Sequence, residues 1–513
     1  MEELLNENQV QAEESPRSLV KMIVIFLVIL IVFSVAYFFR GAIIPYFEDV
    51  LGFVDNEHQE ITIAYAEGIT SFDPANYEAR NRNFLGNIYD PLVRFDKNLN
   101  LEPALAVSWG RIDDLTWEFK LRDLVIFHDG SYFDSEDVVA SIENAISGEG
   151  SQLKSLLSTI DEVEATSDLT VRISTKNEDP ILPNRLAQVL IFSSDVSDFD
   201  DDLIGTGPYY ATSYDTYNVG SISEKLSLNA FSYYWGYYPD YDEVSLVVIP
   251  DKNSRKEAFL NGEAEVIVAL SADSVEGLSV VTQPSLEVNF MLFNTSGLFE
   301  EKELREAFAM SIDKRGLSDL LNGYVRVADQ FVPSGVSGYD SSIDGVAYDP
   351  ASAALIFEEY DIEKFSIDMA EGATFLGEYI VSELERVGVK ATVNYWDVSR
   401  YQEEIYNYSF DVYSMGWKCD VGDAADLYET VFVSNGAYNG GYKNEEVDEL
   451  VSRAASESEG GKRILILKEI MGILAEEDIA GVPLFESEII YGVADGVGFS
   501  PRVDGYIWAA DLS

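Results

Sequence analysis

Strand-like and helix-like segments alternate along this chain from residue 61 almost to its end. Alternation of β-branched or aromatic residues with polar ones predicts strands at residues 61–65, 116–121 and 169–174. Residues 244–249 and 286–293 are more continuously apolar, as expected of strands that are covered on both faces. A chain built in this way is predicted to adopt an α/β fold.

Helix signals occupy the intervals between the strands. Asp134 and Ser135 can cap a helix on which Val138, Ile142 and Ile146 recur every four residues. Further amphipathic helices are predicted at residues 374–387, 445–456 and 462–477, and a strand at residues 391–396. The helix at 462–477 is predicted to bury one stripe, formed by Ile464, Leu467, Met471 and Leu474.

Length and charge narrow the classes of function. The 513 residues suggest two or three lobes, and 91 acidic against 34 basic side chains give a formal net charge of −57. Such a field repels nucleic acid, so we predict no nucleic-acid partner. Acidic residues occur along the whole chain, which favours a role in keeping the surface soluble, for example in a salty habitat, over attraction of cationic ligands.

Few residues are available for metal or nucleophilic chemistry. Cys419 is the single cysteine, which excludes an intrachain disulfide and a cysteine-based zinc site. Only two histidines are present, so bases for a nucleophilic triad are scarce. We therefore predict that the protein is not an enzyme and uses no cofactor.

Residues 22–39 form an uninterrupted apolar run. At about 1.5 Å per residue, such a helix nearly spans a hydrocarbon core of about 30 Å. Arg17 and Lys21 precede the run and Arg40 follows it, which favours an N-terminus on the inside. We predict a cytoplasmic tail at 1–21, a transmembrane anchor at 22–44 and a stalk at 45–60. A cleaved signal peptide ending at Ala36 is the alternative, but the apolar run continues through that point.

A series of short motifs extends from residue 61 to about residue 485. In chain order they are FHDG (127–130), SEDV (135–138), GTGPY (205–209), YWG (234–236), DEV (242–244), IPD (249–251), LNGEAEV (260–266), FNT (293–295), LREAF (304–308), IDK (312–314), GW (416–417) and YxNxxVD (442–448). Their order resembles that of extracytoplasmic solute-binding protein family 5, the oligopeptide- and dipeptide-binding proteins of ABC importers. Most of them are predicted to act structurally. The GTGPY glycines would allow positive φ and close backbone approach, and His128 would stabilise a turn.

The resemblance implies a two-lobed, periplasmic-binding-protein-like α/β fold of type II. Lobe I would comprise residues 61–286 and 485–513, with an extra subdomain at 96–200, and lobe II residues 287–484. Strands at 290–292 and 483–485 would cross between the lobes, which close on a ligand about this hinge.

The function that the resemblance implies is that of a membrane-tethered receptor. It would bind peptides between its lobes on the extracytoplasmic side of the cell membrane and deliver them to the permease of an ABC transporter, acting as a monomer without a cofactor. Two alternatives keep the same fold. One is a receptor for another solute, such as an oligosaccharide, haem or a metal chelate, and the other is a sensory receptor.

The segment 416–420 (GWKCD) resembles the GWxxD cleft segment of the peptide-binding members. Carried over, Asp420 receives the α-ammonium group of the peptide, and the backbones of Gly416 and Lys418 pair with the peptide main chain. Trp417 would form a wall of the cleft or belong to the core of lobe II. The alternative is that Asp420 is a solvated loop residue, like its acidic neighbours Asp423 and Asp426.

One feature departs from the dipeptide-binding pattern. Those members place an arginine near the start of the helix before Gly-Val-x, where it holds the peptide carboxylate, and residues 372–375 (GATF) contain none. The C-terminus of the ligand would then be held elsewhere, with Arg80 or Arg82 as a substitute, or left free as in binders of longer peptides. The alternative for Arg80 is an ordinary surface charge.

Overall fold

The computed structural model describes residues 59–148, 151–200, 202–217, 220–270, 274–407 and 409–513. The predicted tail and anchor, and the stalk up to residue 58, lie outside these residues. Within the described ranges, no helix combines the length and the hydrophobicity that a membrane span requires.

Strands and helices alternate as predicted. The strands are β1 (Glu60–Tyr65), β2 (Val93–Phe95), β3 (Leu101–Pro103), β4 (Ala106–Arg111), β5 (Thr116–Leu121), β6 (Ile160–Ser167), β7 (Thr170–Thr175), β8 (Tyr209–Thr216), β9 (Glu224–Ala230), β10 (Glu243–Val248), β11 (Val266–Ile267), β12 (Val280–Phe293), β13 (Val325–Val327), β14 (Lys364–Ala370), β15 (Lys390–Trp396), β16 (Val412–Lys418) and β17 (Gly481–Val493).

The helices are α1 (Ala79–Leu85), α2 (Ser135–Ser147), α3 (Leu182–Leu186), α4 (Lys252–Leu260), α5 (Lys302–Ser311), α6 (Lys314–Leu320), α7 (Pro350–Glu359), α8 (Thr374–Arg386), α9 (Val398–Tyr406), α10 (Ala425–Leu427), α11 (Glu445–Ser456) and α12 (Gly460–Gly472). Wider π-helical turns extend α10 and α12, at Tyr428–Phe432 and Ile473–Glu477. Short 3-10 turns lie at Leu298–Glu300 and Ala509–Asp511.

One large mixed sheet runs through most of the described chain. Its strand order is β15-β14-β16-β12-β17-β11-β1-β10-β9-β8, and β13 also pairs with β17. The long antiparallel strands β12 and β17 occupy the middle, with Phe290 opposite Pro483, so both predicted crossing segments lie in neighbouring strands. β11 pairs with β17 at Val266 and Val493, whereas β16 pairs with the other end of β12. The two long strands therefore join the two halves of the sheet.

A second, four-stranded sheet, in the order β4-β5-β7-β6, packs with α2 and α3 around a separate core. Phe119, Phe127, Val138, Ile142 and Leu182 are fully buried in this core. Asp134 caps α2 as predicted, because its side chain accepts a hydrogen bond from the Glu136 amide and the side chain of Asp137 completes a capping box.

The predicted stripe of the 462–477 helix is partly wrong. Leu467, Met471 and Leu474 are buried, but Ile464 is 38% exposed. The neighbouring Arg463 takes the inward position instead, because its guanidinium pairs with the buried Asp423. A hydrophobic pattern cannot reveal a helix face that buries an ion pair.

The FHDG and GTGPY motifs pack against each other. The His128 ring lies 3.0 Å from the Gly207 carbonyl oxygen through Nε2 and 3.4 Å from the Gly205 amide through Nδ1. Burial lowers the pKa of His128 to about 4, so the ring is neutral at pH 7. A Cβ on Gly205 would lie 2.1 Å from the Ile88 carbonyl oxygen, which confirms close approach. The prediction of positive φ is wrong for both glycines.

Candidate ligand-binding site

β16 presents a short open edge. Its residues 412–418 pair with β12 on one side, but on the other side β14 pairs only with Val412 and Tyr413. The Cys419 amide donates to the Leu286 carbonyl (3.0 Å). Because bonding alternates along an antiparallel pair, the backbone of Trp417 faces β12 and the amides of Gly416 and Lys418 face away from it.

Two neighbouring groups limit this edge. The Lys418 carbonyl accepts a hydrogen bond from the Asp420 amide (3.0 Å), and the Ser414 carbonyl accepts one from the Tyr401 hydroxyl. The amides of Gly416 and Lys418 and the Gly416 carbonyl are therefore the groups of this edge that a ligand can pair with. An open edge of this kind can bind an extended peptide through main-chain hydrogen bonds, without regard to its sequence.

Asp420 already has a counter-charge within the chain. Its Oδ1 lies 2.8 Å from the Nζ atom of Lys418, and that ammonium lies 4.7 Å from the centroid of the Tyr506 ring. Burial alone would lower the pKa of Lys418, but its interactions with Tyr506 and Asp420 outweigh burial and raise the pKa above its ordinary value. Lys418 therefore contributes a charged side chain to the site in addition to its backbone.

Residues far apart in sequence meet the 418–420 segment. Tyr77 is close to Asp420, and burial together with this carboxylate raises the pKa of the Tyr77 hydroxyl well above its usual value. The Arg82 guanidinium lies 5.9 Å from the ring centroid of Tyr77 and 6.0 Å from that of Tyr506. The site thus combines the segment around α1, the C-terminal segment and the end of β16.

Of the two candidate arginines, Arg82 is the one at this site. It is 5% exposed and donates to the Gln188 carbonyl (2.9 Å). Arg80 pairs with Glu78 and, at 3.9 Å, with Glu67, and its side chain is 38% exposed. Within the described part of the chain, Arg80 forms no hydrogen bond, ion pair or ring contact with residues 416–420. Because they are two residues apart on α1, these side chains point in directions about 160° apart.

Trp417 is partly buried and packs against a hydrophobic core formed by residues from 286 to 480. Its Nε1 atom is buried and has no hydrogen-bond partner among the described residues. Asp420 Oδ1 is likewise buried, but its partner is the Lys418 ammonium, 2.8 Å away. Buried polar atoms normally have a partner, so Trp417 Nε1 retains the capacity to bind one.

Side chains around α3 hold the segment that follows Asp420. Gln188 Nε2 donates to the Asp420 carbonyl (2.8 Å), and Asn184 Nδ2 donates to the Val421 carbonyl (3.0 Å). Arg185 reaches Glu429 at 3.3 Å and Asp179 at 3.2 Å. Polar contacts therefore join the region around α3 to the loop after β16, directly beside Asp420.

Asp423 fixes the same loop from inside. It is 3% exposed and forms a two-point ion pair with Arg463, in which Nη2 donates to Oδ1 (3.0 Å) and Nη1 contacts Oδ2. Its Oδ1 also accepts from the Ala425 amide (2.9 Å). Burial raises the pKa of Asp426 to about 6 despite the neighbouring Arg185. Asp423 and Asp426 are thus not the freely solvated residues that the alternative interpretation of Asp420 assumed.

Three of these residues were not identified from sequence. Tyr77, Tyr506 and Gln188 carry no motif, and only the fold brings them to Asp420. The Lys418–Asp420 pair could have been predicted from sequence, because side chains two residues apart at the end of a strand point to the same side. Among the described residues, no cluster of three or more His, Cys, Asp or Glu side chains is arranged to hold a metal ion.

Comparison with known proteins supports the fold. The family model of bacterial extracellular solute-binding proteins, family 5 (middle region), matches residues 100–439. The chain is 25% identical over 449 residues to the glutathione-binding protein GsiB of Pectobacterium atrosepticum, covering 80% of this chain and 85% of that protein. By their names, these matches are binding proteins rather than enzymes.

Solved structures share the architecture. HbpA2 from Haemophilus parasuis superposes with a TM-score of 0.79 at 20% identity, covering 88% of this chain and 99% of that chain. The periplasmic binding protein DppA from Helicobacter pylori, in complex with the peptide STSA, gives 0.71 at 21% identity and covers 88% and 97%. The predicted two-lobed α/β fold is confirmed.

Proposed function

Because this chain belongs to family 5 of the bacterial extracellular solute-binding proteins, we propose that it binds peptides between two closing lobes and delivers them to the permease of an ABC transporter. The observation that carries the proposal is the open edge of β16 beside Asp420, at a point where residues of both halves of the chain meet. The similarity to a glutathione-binding protein and to a structure solved with a bound peptide also favours a peptide or peptide-like solute.

In this proposal the peptide extends along β16. The amides of Gly416 and Lys418 and the Gly416 carbonyl pair with its main chain, and Trp417 forms part of the wall. The α-ammonium group of the peptide pairs with Asp420, next to Lys418, whose ammonium is then available to a carboxylate of the ligand. Arg82, rather than the ion-paired Arg80, is the arginine placed to support this arrangement.

We place the lobe boundaries where the resemblance puts them. Lobe I comprises residues 61–286 and 485–513, with the subdomain at 96–200, and lobe II residues 287–484. The separate hydrophobic cores support this division, since one core draws on residues 92–191 and two others on residues 286–484. Contacts of α3 with the loop after Asp420 would then form on closure and break on opening.

Closure provides the test of the proposal. A ligand that contacts both lobes stabilises the closed state, by about 2.7 kcal/mol at a hundredfold excess over Kd. We expect small-angle scattering of the full-length protein in detergent to give a smaller radius of gyration with a mixed peptide pool than without it, and the melting temperature to rise. An unchanged radius and an unchanged melting temperature across varied peptides would contradict peptide binding.

Membrane attachment is the second part of the proposal. The apolar run at 22–39 and its continuation beyond Ala36 favour an uncleaved anchor at 22–44, with the binding domain on the extracytoplasmic side. Intact-mass measurement of protein from washed membranes should therefore find the N-terminal residues still attached. A mature species that starts at Tyr37 would show instead that the run is a cleaved signal peptide.

A further inference from the structure

A cavity between β2, the end of β5 and the C-terminal turn shares no residue with the site at the end of β16. Its volume is about 390 Å³, within the range of about 300–1,000 Å³ that is usual for small-molecule sites. The whole YWG motif (residues 234–236) lines it, and the proposed function assigns that motif no role. The other residues of the lining include Arg94, Arg122, Tyr237 and Asp511.

Arg122 is held in place at the wall of this cavity. Its guanidinium lies 4.2 Å from the centroid of the Trp235 ring, and its Nε atom donates to the Ala104 carbonyl (3.2 Å). The Trp235 ring is itself fixed, because its Nε1 atom donates to the buried carboxylate of Asp90 (2.8 Å). A guanidinium that is stacked and bonded in this way loses little further freedom when it binds a ligand.

Within the described ranges, Arg122 forms no ion pair with an acidic side chain. Arg94, the other arginine of the lining, pairs with Glu102 through its Nε atom (2.7 Å). Asp511, the acidic residue of the lining, lies 3.6 Å from Arg502. An arginine without a counter-charge is unexpected in a chain with 91 acidic and 34 basic side chains. The Nη atoms of Arg122 therefore provide a positively charged fork that an anion can use.

A phosphate group fits this arrangement better than a carboxylate does. A guanidinium fork binds two oxygens of an oxyanion at once, and a tetrahedral oxyanion has further oxygens for a second cation. Arg94 supplies that cation, because its guanidinium lies 5.8 Å from the centroid of the same Trp235 ring. Asp511 can accept a hydrogen bond from an O–H group, which a protonated phosphate or a hydroxylated carrier has and a carboxylate ion lacks.

We propose that this cavity binds a phosphate group, either as free phosphate or as the monoester of a small hydroxylated molecule. Arg122 and Arg94 hold the phosphate oxygens, and Asp511 accepts from the O–H group. The net charge of −57 opposes an anion at long range, but salt screens exposed charges beyond about 8 Å at physiological ionic strength. The inference goes beyond the proposed function, since the cavity is separate from the peptide site and its ligand is not a peptide.

Titration calorimetry of the full-length protein in detergent, at constant ionic strength in chloride, tests the site with inorganic phosphate, glycerol 3-phosphate and glycerol. We expect saturable binding of at least one of the two phosphates and no binding of glycerol. Arg122→Gln should weaken the phosphate binding by at least about tenfold, because it removes the charged fork. Arg315→Gln removes the same charge from an exposed residue outside the cavity, so it is the matched control and should change nothing.

A second variant should act in the opposite direction, which a folding defect cannot imitate. Asp511→Asn removes the negative charge of the lining from a side chain that is 46% exposed, and it should strengthen phosphate binding by about threefold or more. Tighter binding of glycerol 3-phosphate would identify a monoester as the ligand, and tighter binding of inorganic phosphate the free ion.

Two results would overturn the phosphate site. One is the absence of saturable binding of both phosphates, and the other is equal affinity of the wild-type protein and Arg122→Gln. Either would assign Arg122 to a structural stack on Trp235. Peptide titrations of Arg122→Gln should match those of the wild-type protein, so the phosphate site and the proposed peptide site can fail separately.

Discussion

Replacing Asp420 by asparagine should weaken binding of peptides with a free α-ammonium group by about tenfold to a hundredfold. Charge-assisted hydrogen bonds contribute about 1.5–3 kcal/mol each, and about 1.4 kcal/mol corresponds to a factor of ten in affinity. The asparagine side chain keeps the shape but not the charge. It also leaves the Lys418 ammonium, now 2.8 Å from Asp420 Oδ1, without a counter-charge beside the incoming ammonium. Titration calorimetry measures the change.

Folding should be little affected by this substitution. The side chains of Lys418 and Asp420 are 26% and 21% exposed, and asparagine keeps the volume of Asp420 and one acceptor oxygen for the Lys418 ammonium. Asp495→Asn is a suitable control, because Asp495 is exposed and no hydrogen bond or ion pair of its side chain is found among the described residues. Asp423→Asn is not a suitable control, because Asp423 is buried and paired.

Two further comparisons separate a specific anchor from general acidity. N-acetylated peptides lack the ammonium charge, so they should bind the wild-type protein weakly and should be almost insensitive to Asp420→Asn. Lys418→Met removes the internal competitor for Asp420 and should strengthen binding of the free peptides. Equal affinities of the wild-type protein and Asp420→Asn for a free peptide would assign Asp420 to a structural role in its ion pair with Lys418.

Replacing Asp423 by alanine should lower the free energy of unfolding by about 3–5 kcal/mol, the cost of removing one partner from a buried ion pair. Asp423 and Arg463 are 4% and 7% exposed at their side chains, so the substitution leaves the Arg463 guanidinium buried without its counter-charge. The substitution also removes the hydrogen bond that the Ala425 amide donates to Asp423 Oδ1. Chemical denaturation followed by circular dichroism measures the loss.

The double-mutant cycle identifies the ion pair as the cause. Arg463→Met alone should also be strongly destabilising, because it leaves Asp423 charged and buried. The pair Asp423→Ala with Arg463→Met should cost much less than the sum of the two single changes, since it removes both charges together. Additive effects, or a loss below about 1 kcal/mol for Asp423→Ala, would show that the pair does not hold the loop.

Local patterns predicted much of the fold. Strands such as β1 and β5 follow from alternation, and α2 follows from its cap at Asp134, since these signals lie within a few residues of the structure they predict. The same reasoning failed at Ile464, because the orientation of α12 is set by the Asp423–Arg463 pair. That pair joins residues forty positions apart, and the sequence around either residue does not predict the pairing.

The site was predicted only in part. The GWKCD segment is continuous in sequence, so its resemblance to a known cleft segment placed Asp420, Trp417, Gly416 and Lys418 together. Tyr77, Tyr506 and Gln188 lie near Asp420 although they come from other parts of the chain. Local sequence patterns do not predict contacts between residues so far apart in sequence. The sequence could not separate Arg80 from Arg82, because α1 is short and its buried face is not apparent from the pattern. In the structure Arg82 is the inward residue.

The central claim is that the protein is a receptor for peptides, and calorimetric titration of the full-length protein in detergent tests it most directly. Glutathione, a tripeptide pool, a maltooligosaccharide and a nickel–histidine chelate would be titrated under the same conditions. We expect saturable binding at one site for glutathione or for the tripeptides, and no binding of the sugar or the chelate. Saturable binding of the sugar or the chelate, with no heat from either peptide sample, would contradict the account.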